Sequence, residues 1–192
     1  ILISFIFVFC IASPAVCQTP MEIKSPSAIL IDAGTGTVLF EKNPHEKLAP
    51  ASITKVMTIV LALDALESGK VKLTDVIKVS EKAWKTGGSQ VFLGQGEEQT
   101  LETLLKCIVV ASANDASVAV AEYIGGSVEG FTKMMNDKAR ELGMNNTNFS
   151  NPHGLSEPNL YTTAYDISRM AMELVKYPMF FKWSTVWMDY LE

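Results

Sequence analysis

Cysteine and histidine are scarce in this chain, with three cysteines and two histidines in 192 residues. Cys10 and Cys17 fall in or beside an N-terminal hydrophobic stretch, and Cys107 lies in an apolar helical run where a thiol is ordinarily inert core. No disulfide framework and no zinc site can be assembled from that set. His45 and His153 stand apart in sequence with no second ligand at metal spacing, so no metal or other cofactor is expected. Basic clusters are lacking too. The formal net charge is −5, which argues against nucleic acid as a partner. There is no internal repeat and no low-complexity linker, and a chain of this size can hold one domain with a substantial core.

Hydrophobicity is what is present first. Residues 1–12 are an almost unbroken apolar run, followed by Ser13-Pro14-Ala15-Val16-Cys17-Gln18. This reads as the core and cleavage region of a secretory signal peptide, shorter than the ~20 residues of a membrane span. Residues 1–17 are therefore expected to be a partial signal peptide, lacking its charged leading region and initiator methionine. A retained anchor is the alternative, whereas acylation at Cys17 is disfavoured by the bulky Val16 before it.

The most informative stretch is Ala49-Pro50-Ala51-Ser52-Ile53-Thr54-Lys55-Val56-Met57-Thr58. Residues three apart on a helix share a face, so Lys55 can approach the Ser52 hydroxyl if both lie at a first turn facing a cleft. Burial and nearby positive charge push a lysine pKa down towards the range where the neutral amine can take a proton. A helix N-terminus adds partial positive charge and free N–H groups. A serine nucleophile can thus be built without histidine. Alone, Ser-x-x-Lys is a weak signal that any helix rich in serine and lysine contains by chance.

A second constellation, Ser112-Ala113-Asn114, interrupts the apolar helical runs 104–111 and 116–121. One reading is a helix-to-helix corner in which Ser112, Asn114 or Asp115 caps the second helix. The functional reading puts these groups on the same cleft as Ser52, with the hydroxyl relaying a proton and the amide holding a carbonyl or the lysine. A Ser-His-Asp arrangement ranks below this pair, because His153 sits in the turn-like Asn151-Pro152-His153-Gly154.

The pattern along the chain predicts a glycine-turned hairpin over 27–41 with both faces fairly apolar. A central helix apolar nearly all round runs from about Ser52 to Leu66, closed by Ser68-Gly69. A short strand over 76–79, a Ser80-capped turn of helix and a glycine-rich segment over 86–90 follow. Helices are expected from Thr100 to about Val110, from the Ser112-Ala113-Asn114 corner to Gly125, and over 127–142. Thr163 and Asp166 suggest a capping box for a last helix that ends before Pro178. The fold class is therefore α+β, with an antiparallel sheet short of strands beside a helical block.

With both serine motifs located, the chain resembles the penicillin-recognising serine enzymes, most closely the serine-type D-alanyl-D-alanine carboxypeptidases of the low-molecular-mass penicillin-binding proteins. The resemblance extends from about Ser27 to Val175 and is carried by residues 48–58, Val110-Ala111-Ser112-Ala113-Asn114-Asp115-Ala116 and Phe149-Ser150-Asn151-Pro152-His153-Gly154-Leu155. It implies a β-lactamase/transpeptidase-like fold over 25–192. It also implies an acyl-enzyme mechanism on peptidoglycan stem peptides ending in D-Ala-D-Ala, with β-lactams as inhibitors that acylate and stay. Ser52 would be the nucleophile, Lys55 the proton acceptor and Ser112 the proton relay, while Asn114 would orient Lys55 and the substrate amide. The expected location is the bacterial cell envelope, at the outer face of the cytoplasmic membrane or in the periplasm.

The family's third motif, Lys-Thr-Gly on a strand after the helical block, does not follow that block here. Lys85-Thr86-Gly87 precedes Ser112 and sits in a loop, so it reads as a decoy. The sequence is expected to be the N-terminal part of a catalytic domain, incomplete at its C-terminus. The third motif, a second oxyanion donor and any membrane-attaching segment would lie beyond it. Rival readings are a class A β-lactamase, which Ser-Ala-Asn and Tyr161 disfavour, a D,D-endopeptidase using the same residues, and a non-catalytic truncated wall-binding protein.

Overall fold

The computed structural model describes residues 22–188. The leader expected over 1–17 lies outside the described residues. Strands β1 (Ala28–Ile31) and β2 (Val38–Lys42) form an antiparallel hairpin, and β3 (Val76–Lys78) pairs with β4 (Glu98–Thr100) in a second two-stranded antiparallel sheet. Seven helices are described: α1 (Thr54–Glu67), α2 (Glu81–Trp84), α3 (Leu101–Ala111), α4 (Asn114–Gly125), α5 (Val128–Glu141), α6 (Ala164–Leu174) and α7 (Pro178–Ser184). Strands thus precede and edge a helical block, the α+β arrangement read from the sequence.

Helix α1 is the axis of the block. Ten of its residues are buried, including Met57, Val60, Ala62 and Leu63, which is what apolar character all round demands. It packs on α3, α4, α5 and α6. Helix α4 contributes the small buried residues Ala116, Ser117, Ala119 and Ala121, so its neighbours approach closely. Phe131 and Met135 of α5 fill the space that results, and both are fully buried. At the α4–α5 corner a Cβ on Gly125 would lie 2.5 Å from the Phe131 nitrogen, a contact only glycine permits.

Local capping fixes most helix starts. Ser80, Thr100, Ser127 and Thr163 each accept a hydrogen bond from the N–H three residues on, at Ala83, Thr103, Gly130 and Asp166. The box at α6 is only half formed. Asp166 turns its carboxylate to the Asn146 N–H (2.8 Å) and the Thr147 hydroxyl (2.7 Å) instead of to Thr163.

The helix opened at Thr163 ends before Pro178, as expected, and the separate helix α7 begins there, where proline at its first position supplies a helical φ and lacks only an N–H that would be unpaired anyway. Two expectations need correction. Among the described residues the hairpin is covered on one side: Ile29, Leu30 and Ile31 border an apolar groove of about 400 Å³ with Ile167 and Ala171 of α6, while Val38 and Leu39 are exposed. Helix α4 is capped by none of Ser112, Asn114 or Asp115. Ala113 occupies the N-cap without a side-chain bond, and Ser112 closes α3 in the left-handed conformation at φ 54°.

Candidate active site

The segment into α1 opens with a 3-10 turn, Ala51–Ile53, after Pro50. That turn leaves Ser52 exposed and carries the chain into a helix whose second residue, Lys55, is buried at 3 % exposure. The Lys55 Nζ lies 3.1 Å from the Ser52 Oγ and donates to the His153 carbonyl at 2.8 Å. Burial lowers the Lys55 pKa to about 8, because desolvation disfavours the ammonium. Among the described residues no carboxylate forms an ion pair with it to restore the charge.

The turn that supplies the carbonyl is built by Asn151. Its Oδ1 accepts from the N–H groups of His153 (3.2 Å) and Gly154 (2.6 Å), and its Nδ2 donates to the Leu155 carbonyl at 2.9 Å. One turn along α1, the Thr58 hydroxyl donates to the Pro152 carbonyl at 2.7 Å. Two side chains of α1 are therefore bonded to successive carbonyls of the turn. The His153 ring serves its own turn, with Nδ1 accepting from the Leu155 N–H at 3.2 Å. That bond places the ring proton of the neutral tautomer on Nε2. Burial, and then the charge on Lys55, lower its pKa to about 4, so it stands neutral beside the lysine at neutral pH.

Ser52, Lys55 and Ser112 line one cavity of about 280 Å³, closed by Val56, Ile108 and Val109 and by Leu174, Phe180 and Ser184. The left-handed turn at Ser112 is what swings its side chain out of the line of α3 and into this cavity. Asn114 is not among the cavity residues. Its Nδ2 donates to the Gly87 carbonyl at 2.8 Å, and its backbone N–H to the Ser89 carbonyl at 2.7 Å. The sequence expectation that Asn114 holds Lys55 finds no hydrogen bond here, since the lysine is bonded to Ser52 and His153. Lys85-Thr86-Gly87 lies in a loop after α2, with Lys85 paired to Glu81 on the surface, so it is no substrate-binding strand.

Beside Asn114, Asp115 is 1 % exposed. Its carboxylate accepts from the N–H groups of Val91 and Leu93, each 3.1–3.4 Å away, and from Ala116 at 2.9 Å. It ties the glycine-rich loop to the start of α4. Among the described residues no group of three or more histidine, cysteine or acidic side chains could hold a metal.

The family model described as D-alanyl-D-alanine carboxypeptidase matches residues 14–192. The chain belongs to that family. Within it, the D-alanyl-D-alanine carboxypeptidase DacF of Bacillus subtilis is 52 % identical over 168 residues, 88 % of this chain and 43 % of the relative. A D-alanyl-D-alanine endopeptidase of Pseudomonas aeruginosa is 36 % identical over 168 residues, 85 % of this chain and 52 % of the relative. The crystal structure of the D-alanyl-D-alanine carboxypeptidase DacD from Francisella tularensis superposes with a TM-score of 0.83 at 38 % identity, over 85 % of this chain and 40 % of that one. The fold is thus that of the penicillin-binding carboxypeptidases, and the chain spans about half the length, or less, of the relatives it matches.

Sequence reasoning missed two parts of this carboxypeptidase-family site. The first is the backbone role of His153 and Pro152, whose carbonyls any residue type could supply. The second is the Asp115 clamp. A buried aspartate in an apolar helix without a cation nearby in sequence was the available signal.

Proposed function

We propose that the protein is a serine-type D-alanyl-D-alanine carboxypeptidase of the bacterial cell envelope, exported and acting on peptidoglycan stem peptides. The observation that carries this reading is the Ser52–Lys55 pair at 3.1 Å, set in a cavity that Ser112 also lines. Neutral Lys55 accepts the Ser52 proton while its N–H remains bonded to the His153 carbonyl. The serine oxygen adds to the carbonyl of the penultimate D-alanine, with the Ser52 backbone N–H as one oxyanion donor. The C–N bond then breaks, the leaving D-alanine amine takes a proton by way of Ser112, and water hydrolyses the ester to free Ser52. Asn114, fixed through Nδ2 to Gly87, has its Oδ1 for the substrate amide N–H. β-Lactams form the same ester on Ser52.

The test is tagged penicillin on the intact gene product, with mass mapping of the modified peptide. Label on Ser52, lost in Ser52→Ala while the fold is kept, supports the reading. A folded protein that takes no label, or label that survives the substitution, overturns it. The endopeptidase named among the relatives gives a second reading with the same chemistry. Release of D-alanine from a pentapeptide against cleavage of a cross-linked dimer separates the two.

A further inference from the structure

The residue that launches the serine is strained. Ala51 stands at φ 46°, a left-handed conformation that an L side chain disfavours. Its carbonyl accepts from the Thr54 N–H at the start of α1. On the other side of that carbonyl lies Gly154, itself at φ 92°, whose missing Cβ would sit 1.8 Å from the Ala51 oxygen, 2.4 Å from its carbon and 3.0 Å from the Thr54 Oγ1. Of the glycines whose surroundings are described, none would make a closer contact. Two backbones meet there with no room for a side chain, and the meeting point is the peptide unit that leads into Ser52.

We infer that Gly154 is a positioning residue for Ser52: by packing against the Ala51 carbonyl it holds the strained turn that aims the serine hydroxyl at Lys55. The turn carrying Gly154 is held in its own place by Asn151 and by the Thr58 bond to Pro152. One strap therefore acts on both members of the pair, through Ala51 on the serine and through the His153 carbonyl on the lysine. Strain at Ala51 persists because the strap over-determines it. A methyl at Gly154 forces the two backbones apart, and a displacement of Ser52 by about 1 Å is enough to cost ~100-fold in rate. This inference rests on the acyl-enzyme reading above.

The test compares Gly154→Ala with Gly125→Ala in the full-length gene product. Gly125 also makes a backbone contact that a Cβ would crowd, 2.5 Å from the Phe131 nitrogen, at a corner whose residues do not line the serine cavity, so it serves as a steric control away from the site. Thermal melting, the final stoichiometry of penicillin label and the rate constant of acylation are measured for each. Both variants are expected to melt earlier. Gly125→Ala labels at the wild-type rate, whereas Gly154→Ala reaches full stoichiometry on the order of 100-fold more slowly. A Gly154→Ala protein that labels at the wild-type rate, or loses stoichiometry while its folded fraction reacts normally, overturns the inference by showing a purely structural glycine. Wild-type protein that takes no label overturns the acyl-enzyme reading itself, and this inference with it. If Gly154→Ala yields no folded protein, Thr58→Ala decides, since it only loosens the same strap. Full labelling at a rate lowered about tenfold supports positioning, and an unchanged rate refutes it.

Discussion

The ε-amine of Lys55 is bonded to the carbonyl oxygen of His153, 2.8 Å away in space and 98 residues away in sequence. A carbonyl accepts a proton donor but brings no net charge, so it orients the amine without stabilising the ammonium as a carboxylate would. Burial is then free to lower the pKa to about 8, and above that value the amine has a lone pair for the Ser52 hydroxyl. The local helix supplies the pair, and the distant turn supplies its orientation.

Acylation by penicillin should follow the neutral fraction of Lys55. Burial brings its pKa from 10.5 to about 8, and the base form exists above that value. The rate constant should rise about tenfold per unit below pH ~8 and level off above it. His153 adds no step there, because its own pKa is near 4. Rapid-mixing kinetics across about pH 6 to 10 check this, and a flat profile would remove Lys55 as the base. Lys55→Met should lower acylation by roughly 10²- to 10⁴-fold.

Stability should show a separate acid step from His153. Its pKa is 6.5 when unfolded and about 4 when folded, so between these values the unfolded chain binds more protons. Stability therefore rises with pH through that window and is lost as pH falls from about 6.5 towards 4. His153→Asn keeps an acceptor for the Leu155 N–H and removes the titration. Urea unfolding at a series of pH values should find the step reduced in this variant, whereas an unaltered step would place its source elsewhere.

Sequence pattern revealed what depends on near neighbours. The Ser52–Lys55 spacing, the caps at Ser80, Thr100 and Thr163, and the all-round apolar character of α1 are each set within a few residues, and the structure keeps them. What stayed hidden is non-local or belongs to the backbone. Nothing in Asn151-Pro152-His153-Gly154 tells that two of its carbonyls meet Lys55 and Thr58. The sequence likewise cannot tell whether the Asn114 amide faces Lys55 or Gly87, since both ends of an amide find partners. β4, Glu98-Gln99-Thr100, is polar throughout and so carries no apolar residue to mark a buried face.

Removing the Asp115 carboxylate should free the loop beside Asn114. In Asp115→Ala the N–H groups of Val91 and Leu93 lose their acceptor, and Phe92 between them is already at φ 60° and 85 % exposed. A cost of about 3 kcal/mol is expected from the stranded donors, read by urea denaturation. Hydrogen exchange should accelerate at Val91 and Leu93 while amides in the middle of α1 change only with global stability. Uniform acceleration would mean that Asp115 supports the whole domain, not this loop.

Far from the serine, Asp64 of α1 is the shared partner of Lys138 on α5, at 3.1 Å, and of the Tyr177 hydroxyl just before α7. Lys138 is 9 % exposed. Burial pulls its pKa down, but its bonds to Glu141 and Asp64 outweigh that and raise it, so the ammonium is present and depends on its partners. Asp64→Ala should cost about 1–3 kcal/mol, because the Tyr177 hydroxyl loses its acceptor and the Lys138 ammonium loses one partner while Glu141, at 3.0 Å, still pairs with it. Lys138→Met should cost less, since it removes the charge together with the need to pair it. If the pair acts as a unit, the double variant will be more stable than the two single losses added together predict, by about 1–3 kcal/mol. Additive losses from urea denaturation would show that Asp64 acts mainly through Tyr177, linking α1 to the start of α7 without the lysine.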